Sequence, residues 1–289
     1  MKRKKITREI QTPDVSQQTE HIMRAVLTVL AIVFLMPIAV VLMNSFKGKL
    51  YISDTPFALP AGNTFAGIEN YINGIEKTGL PMAFCYSLFI TVGSVLVIVL
   101  FTAMIAWYIT RMKTWWAQLL YYMFAFAMIV PFQMVMFPMS KIVNVLGLDN
   151  PVGIIFVYLG FGAGLSVFMY CGFVKAIPLE IEEAATIDGC NPIQIFFLIV
   201  LPMLKPTAIT VAILNAMWIW NDYLLPYLLL GTDYMTIPIA IQYLQGGYGS
   251  IDMGAMMAML VLAMVPIIIF YLLCQKHIIK GVAAGAVKG

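Results

Sequence analysis

Six stretches of this chain run for about 20 residues with almost no charge, and about 20 helical residues, each rising 1.5 Å, cross a hydrocarbon layer about 30 Å thick. They cover residues 25–43, 86–108, 117–140, 152–174, 206–230 and 253–275. Backbone polar groups in lipid must be bonded within their own segment, so each stretch is expected to be helical. Only 11% of the 289 residues are charged, against about 25% in ordinary globular domains, and the mean hydropathy is +0.91. Such a chain is not a soluble enzyme, a disordered polymer or a nucleic-acid module, all of which need far more charge. The expected class is an all-α membrane protein with six transmembrane helices.

Basic residues assign the sides, because Lys and Arg collect on cytoplasmic loops. With both termini inside, 13 of the 17 basic residues are cytoplasmic and 4 (Lys47, Lys49, Lys77, Lys141) are outside. Residues 1–24 then form a basic cytoplasmic tail, 25–43 an uncleaved first span, 44–85 an extracytoplasmic loop and 276–289 a second cytoplasmic tail. The loop at 44–85 is rich in turn formers and is expected to hold a short helix near residues 69–75. No internal repeat marks the inverted halves of many secondary transporters.

The cytoplasmic connection 175–205 is organised rather than loop-like. Pro178 suits a helix start, and Glu180, Glu182 and Glu183 follow where carboxylates favour the positive helix end. Ile181, Ala184, Ala185 and Asp188 share one face by three- and four-residue spacing. Gly189 supplies a left-handed end. Asn191, Pro192 and Gln194 start a second helix with a capping-box pattern, which Leu201-Pro202 is expected to stop. Physics alone leaves two readings of this hairpin open: an amphipathic element lying on the membrane surface, or a docking element.

Glu183-Ala184-Ala185, three residues, Gly189, nine residues, then Ile199-Val200-Leu201-Pro202 resembles the E-A-A-x3-G-x9-I-x-L-P loop of the inner-membrane permeases of binding-protein-dependent ABC importers. The resemblance implies that Glu183, Ala184, Ala185, Asp188, Gly189, Leu201 and Pro202 belong to coupling helices that fit a cleft on a cytoplasmic ATPase. Trp220-Asn221-Asp222-Tyr223 and the tail from Lys276-His277-Ile278-Ile279-Lys280-Gly281 to Ala284-Gly285-Ala286-Val287-Lys288-Gly289 are similar to carbohydrate permeases of the maltose-permease G-subunit type. That similarity implies a five-helix, MetI-like permease core over residues 86–275 plus an extra N-terminal helix. It also implies a homologous second permease, an ATPase dimer, an extracytoplasmic sugar-binding protein and a place in the bacterial cell membrane.

Asp222 is the one carboxylate inside the apolar runs, and a charge there is costly unless it meets water or a partner. Either it lines a substrate path, or it bonds neighbouring backbone near the outer interface. Asn215, Trp218, Asn221 and Tyr223 flank it, and rings beside amides suit a sugar, whose C–H faces stack while its hydroxyls need donors and acceptors. Gln133 is a further candidate. Gly160 and Gly164 have the spacing that lets helices approach closely, and Pro131, Pro138, Pro226 and Pro266 are candidate kinks.

Neither catalysis nor metal binding is expected of this chain. Cys85, Cys171, Cys190 and Cys274 lack ligand spacing, and His21 and His277 lie far apart. No G-x-x-x-x-G-K-[ST] occurs, so ATP and its Mg would sit on a partner polypeptide. The expected function is a permease subunit of an ATP-driven sugar importer. The alternatives are a same-architecture permease for another solute, such as a glycerol phosphoester, and a stand-alone secondary transporter or channel.

Overall fold

Helices follow the apolar runs, but two of the runs change direction midway. The computed structural model describes residues 17–244 and 252–286. Four helices among them are long and apolar enough to cross a bilayer: α1 (Gln17–Asn44), α4 (Leu80–Arg111), α7 (Gly153–Val174) and α14 (Met253–Ala286). Between them lie α2 (Lys49–Asp54), α3 (Glu69–Thr78), α5 (Trp115–Ala127), α6 (Phe132–Val145), α8 (Leu179–Ile187), α9 (Pro192–Ile195), α10 (Leu201–Met203), α11 (Lys205–Asn221), α12 (Leu224–Leu230) and α13 (Ile237–Tyr243). Residues 1–16 of the basic tail and the final residues 287–289 lie outside the described residues.

The run at 117–140 is not one straight helix, because α5 and α6 meet at 109°. Pro131, extended at ψ 137, lacks the amide proton that would continue α5 and starts α6 instead. The run at 206–230 breaks at Asp222, whose backbone is extended (φ −73, ψ 128) between α11 and α12. The second span also starts earlier than expected, at Leu80. Gly79 (φ 57) ends α3 and leads directly into α4, leaving a shorter connection between α1 and α4.

The core is centred on α7. Over half of its apolar window is buried (56%), whereas α1 buries none of its window (0%) and packs chiefly along α14. Small residues explain the difference. A Cβ at Gly162 would stand 2.7 Å from both Asn215 Oδ1 and Ile98 Cδ1, and one at Gly164 would stand 2.8 Å from Met128 Cγ. Thus α4 and α11 close on one side of α7, and α5 on the other. Gly160 faces open space, so the close approaches run through Gly162 and Gly164.

The connection between α1 and α4 folds over the start of α14. Asn70, Gly74 and Thr78 form the buried face of α3, and the Asn70 amide donates to the carbonyls of Ser45 (2.8 Å) and Lys47 (2.7 Å). Lys77 pairs with Asp252 just before α14. This cap and the α8–α10 hairpin adjoin opposite ends of α4, whose 32 residues span about 48 Å at 1.5 Å each.

Candidate functional site

The hairpin is defined by its turn. Helix α8 ends with Gly189 at φ +88. The amide of Gly189 donates to Thr186 O (3.1 Å) and that of Cys190 to Ala185 O (3.0 Å), the pair of bonds that closes a Schellman turn. Asn191 and Gln194 then cap each other's amides reciprocally, both at 2.9 Å, as the sequence pattern requires.

Pro202 does not stop the second helix. Phe196–Val200 winds as a π-helical turn in which the Leu201 amide bonds Phe196 O, five residues back. The wider turn accommodates a proline that has no amide to donate. Normal spacing returns when Leu204 N bonds Val200 O (3.0 Å), and the chain then bends by 76° into α11.

One side of the hairpin joins the protein core. Ala185, Ile195, Phe196, Val200 and Leu204 are buried there, and the Phe196 ring lies 5.6 Å from that of Trp107. The other side presents Glu180, Glu183, Ala184, Asp188 and Gly189 to solvent, with Ile187 and Ile193. Ala185 therefore leaves the face expected to hold it with Ile181, Ala184 and Asp188, because it closes the turn inward beside Glu182. Leu201 is half-buried and Pro202 exposed.

Glu182, which the sequence offers only as one of three carboxylates at a helix start, is buried and partnered. It is 6% exposed. Its Oε1 accepts from Arg111 Nε (2.9 Å) and Nη2 (2.7 Å), and its Oε2 accepts from Trp107 Nε1 (2.9 Å). Arg111 Nη2 also donates to Ile177 O (2.9 Å) in the α7–α8 link. In sequence, Trp107 is one more residue of the apolar run 86–108, and Arg111 counts only among the basic residues that assign the cytoplasmic side. Nothing local pairs them with a residue 71 or more positions away.

The polar residues of the apolar runs divide into three settings. Asn215 is buried, donating to Ser166 Oγ (3.2 Å) and Val211 O (2.8 Å), and so ties α11 to α7. Asp222 has partners on both oxygens. Oδ1 accepts from the amides of Leu224 (3.0 Å) and Leu225 (3.5 Å), capping α12, and Oδ2 accepts from the Tyr158 hydroxyl (3.0 Å). Tyr158 is fully buried and meets Trp218 edge to face at 5.5 Å, so the structure gathers Tyr158, Trp218 and Asp222 at one helix junction.

Trp218, Asn221 and Gln133 are exposed; Asn221 donates to Met217 O (2.7 Å). Tyr223 stacks on Tyr227 at 5.2 Å. Gln133 stands in the first turn of α6, which packs against α12. Among the described residues, no group of three or more His, Cys, Asp or Glu side chains is placed to hold a metal ion.

Comparison with known proteins places this architecture. Residues 98–284 match the family described as the binding-protein-dependent transport system inner membrane component. The chain is 39% identical over 273 residues to a probable starch degradation products transport system permease protein of Thermoanaerobacterium thermosulfurigenes, covering 93% of this chain and 98% of that one. It is 37% identical over 269 residues to a multiple sugar-binding transport system permease protein of Streptococcus mutans, covering 91% and 95%. Its fold is similar to a chain in the crystal structure of a bacterial ABC transporter involved in import of the acidic polysaccharide alginate. That likeness has a TM-score of 0.75 at 23% identity and covers 92% of this chain and 99% of the other. The chain therefore belongs to the family of binding-protein-dependent transport system inner membrane components.

Proposed function

We propose that this chain is one permease subunit of an ATP-driven importer of neutral sugars or oligosaccharides. The observation that carries the reading is the α8–α10 hairpin, anchored on one side in the permease core and presenting Glu183, Ala184, Asp188 and Gly189 on the other. A cytoplasmic ATPase with a partly basic cleft fits that outward face, and its closure on ATP moves the hairpin. ATP and Mg belong to the ATPase dimer, and a homologous second permease completes the path. Both termini are cytoplasmic, in keeping with the distribution of basic residues.

The sugar class is supported by the names of two relatives, which concern starch degradation products and multiple-sugar binding. It is also supported by the lack of Lys or Arg inside the six apolar runs, where an anionic solute would want a cation. Trp218, Asn221, Tyr223 and Gln133 are the proposed sugar contacts. Asn215 and Asp222 act by holding α11 and α12 in place, since the Asn215 amide nitrogen and both Asp222 carboxylate oxygens are engaged within the protein.

The test is uptake of a labelled maltooligosaccharide mixture into vesicles holding both permeases, the ATPase and the binding protein. Accumulation that requires all four components and ATP supports the proposal. Accumulation driven by an ion gradient without ATPase would reject it in favour of a secondary transporter.

A further inference from the structure

The buried cluster Arg111–Glu182–Trp107 lies off the outward face of the hairpin and joins three elements. Trp107 and Arg111 sit one turn apart on α4 and both reach Glu182 on α8, while Arg111 also holds the Ile177 carbonyl between α7 and α8. The Glu182 and Arg111 side chains are only 8% and 18% exposed. Removing one partner strands the other charge away from water, a far larger loss than breaking a surface pair.

Covalent chain already ties the hairpin to α7 and α11. The helix that would otherwise slip past it is α4, which packs along both. We propose that Arg111 and Glu182, oriented by Trp107, are positioning residues that stay joined throughout the transport cycle. They make α4 move with the hairpin, so that ATPase closure turns α4, α7 and α11 as one body. This rests on the importer reading but is separable from it, because docking uses Glu183 and Asp188 on the opposite side of α8 whereas transmission uses Glu182.

The experiment uses the complete importer in lipid nanodiscs and vesicles. Glu182→Gln keeps the shape of the side chain and loses its charge. The expected result is that the ATPase still co-purifies, while stimulation of hydrolysis by the loaded binding protein and sugar uptake both fall about tenfold, within the usual range for a coupling between sites. A second pair of variants guards against misfolding. Arg111→Cys with Glu182→Cys, in a chain with Cys85, Cys171, Cys190 and Cys274 changed to Ala, is expected to be uncoupled until a short bifunctional thiol reagent bridges the two positions and restores stimulation.

Wild-type stimulation in Glu182→Gln would overturn the proposal, leaving the docking reading intact. Loss of ATPase association in that variant would also overturn it, by making Glu182 part of docking. A bridged pair that binds ATPase but cannot transport would show that the link must open during the cycle, and would overturn the claim that it stays joined.

Discussion

Substitutions at Gly189 should weaken the hairpin in a graded order that follows backbone conformation and nothing else. The residue holds φ +88, and a Cβ built there meets no atom within 4 Å, so side-chain packing does not contribute. The left-handed region costs an ordinary L-residue about 1–2 kcal/mol, with asparagine among the best tolerated and β-branched residues the worst. Gly189→Asn should therefore cost less than about 1 kcal/mol, Gly189→Ala about 1 and Gly189→Val about 2. The cost falls on the two turn bonds, from Gly189 to Thr186 and from Cys190 to Ala185.

If the ATPase binds only the closed turn, apparent affinity falls with the population of that turn. About 2 kcal/mol corresponds to at most about thirtyfold for valine and about 1 to at most about fivefold for alanine. Titration of the ATPase into nanodiscs holding both permeases measures this directly. Equal affinities across asparagine, alanine and valine, or an alanine variant weaker than valine, would refute the conformational argument.

At the α11–α12 break, Asp222→Ala should destabilise the subunit by about 1 kcal/mol through loss of the cap, and Asp222→Asn, which keeps a capping oxygen, by less. Thermal unfolding in detergent checks the order, and equal losses would count against capping. Where α3 meets the start of α14, partial burial pushes the Asp252 carboxyl up. Hydrogen bonds from Lys77 and the Ala255 amide, with the charges of Lys77 and Lys49, outweigh this and hold it below the usual carboxylate range. A depressed folded value stabilises above the unfolded one and is lost as pH falls through the folded value. Hydrogen exchange in α3 should thus quicken below the ordinary carboxylate range in the native protein but show no such step in Asp252→Asn; an identical pH response in both would exclude the pair. Topology reporters fused after Gly289 and after Arg111 should read as cytoplasmic and one near Gly62 as external, and an external signal after Gly289 would reject the assigned sides.

What was legible in the sequence is what neighbours along the chain decide. The Gly189 turn and the Asn191–Gln194 box depend on residues within a turn of each other, and the structure has both where the pattern places them. The continuity of the apolar runs was not legible, because hydrophobicity measures length and not direction. Pro131 reads as a kink but does not announce a 109° bend, and Asp222 reads as a charge needing a partner but not as the end of a helix. Tyr158 and Asp222 are 64 positions apart, and Arg111 and Glu182 are 71 apart. No local spacing reveals such pairs; they appear only once α7, α4 and α8 are packed.

We propose that the outward face of α8 is where an ATPase engages this subunit. Co-purification of the ATPase with Glu183→Lys, and hydrolysis with and without loaded binding protein, test it most directly. Glu183 is exposed, so the variant should still insert and pair with the second permease while losing ATPase association or its stimulation. Wild-type association together with wild-type stimulation would contradict the claim and return the hairpin to an amphipathic element on the membrane surface.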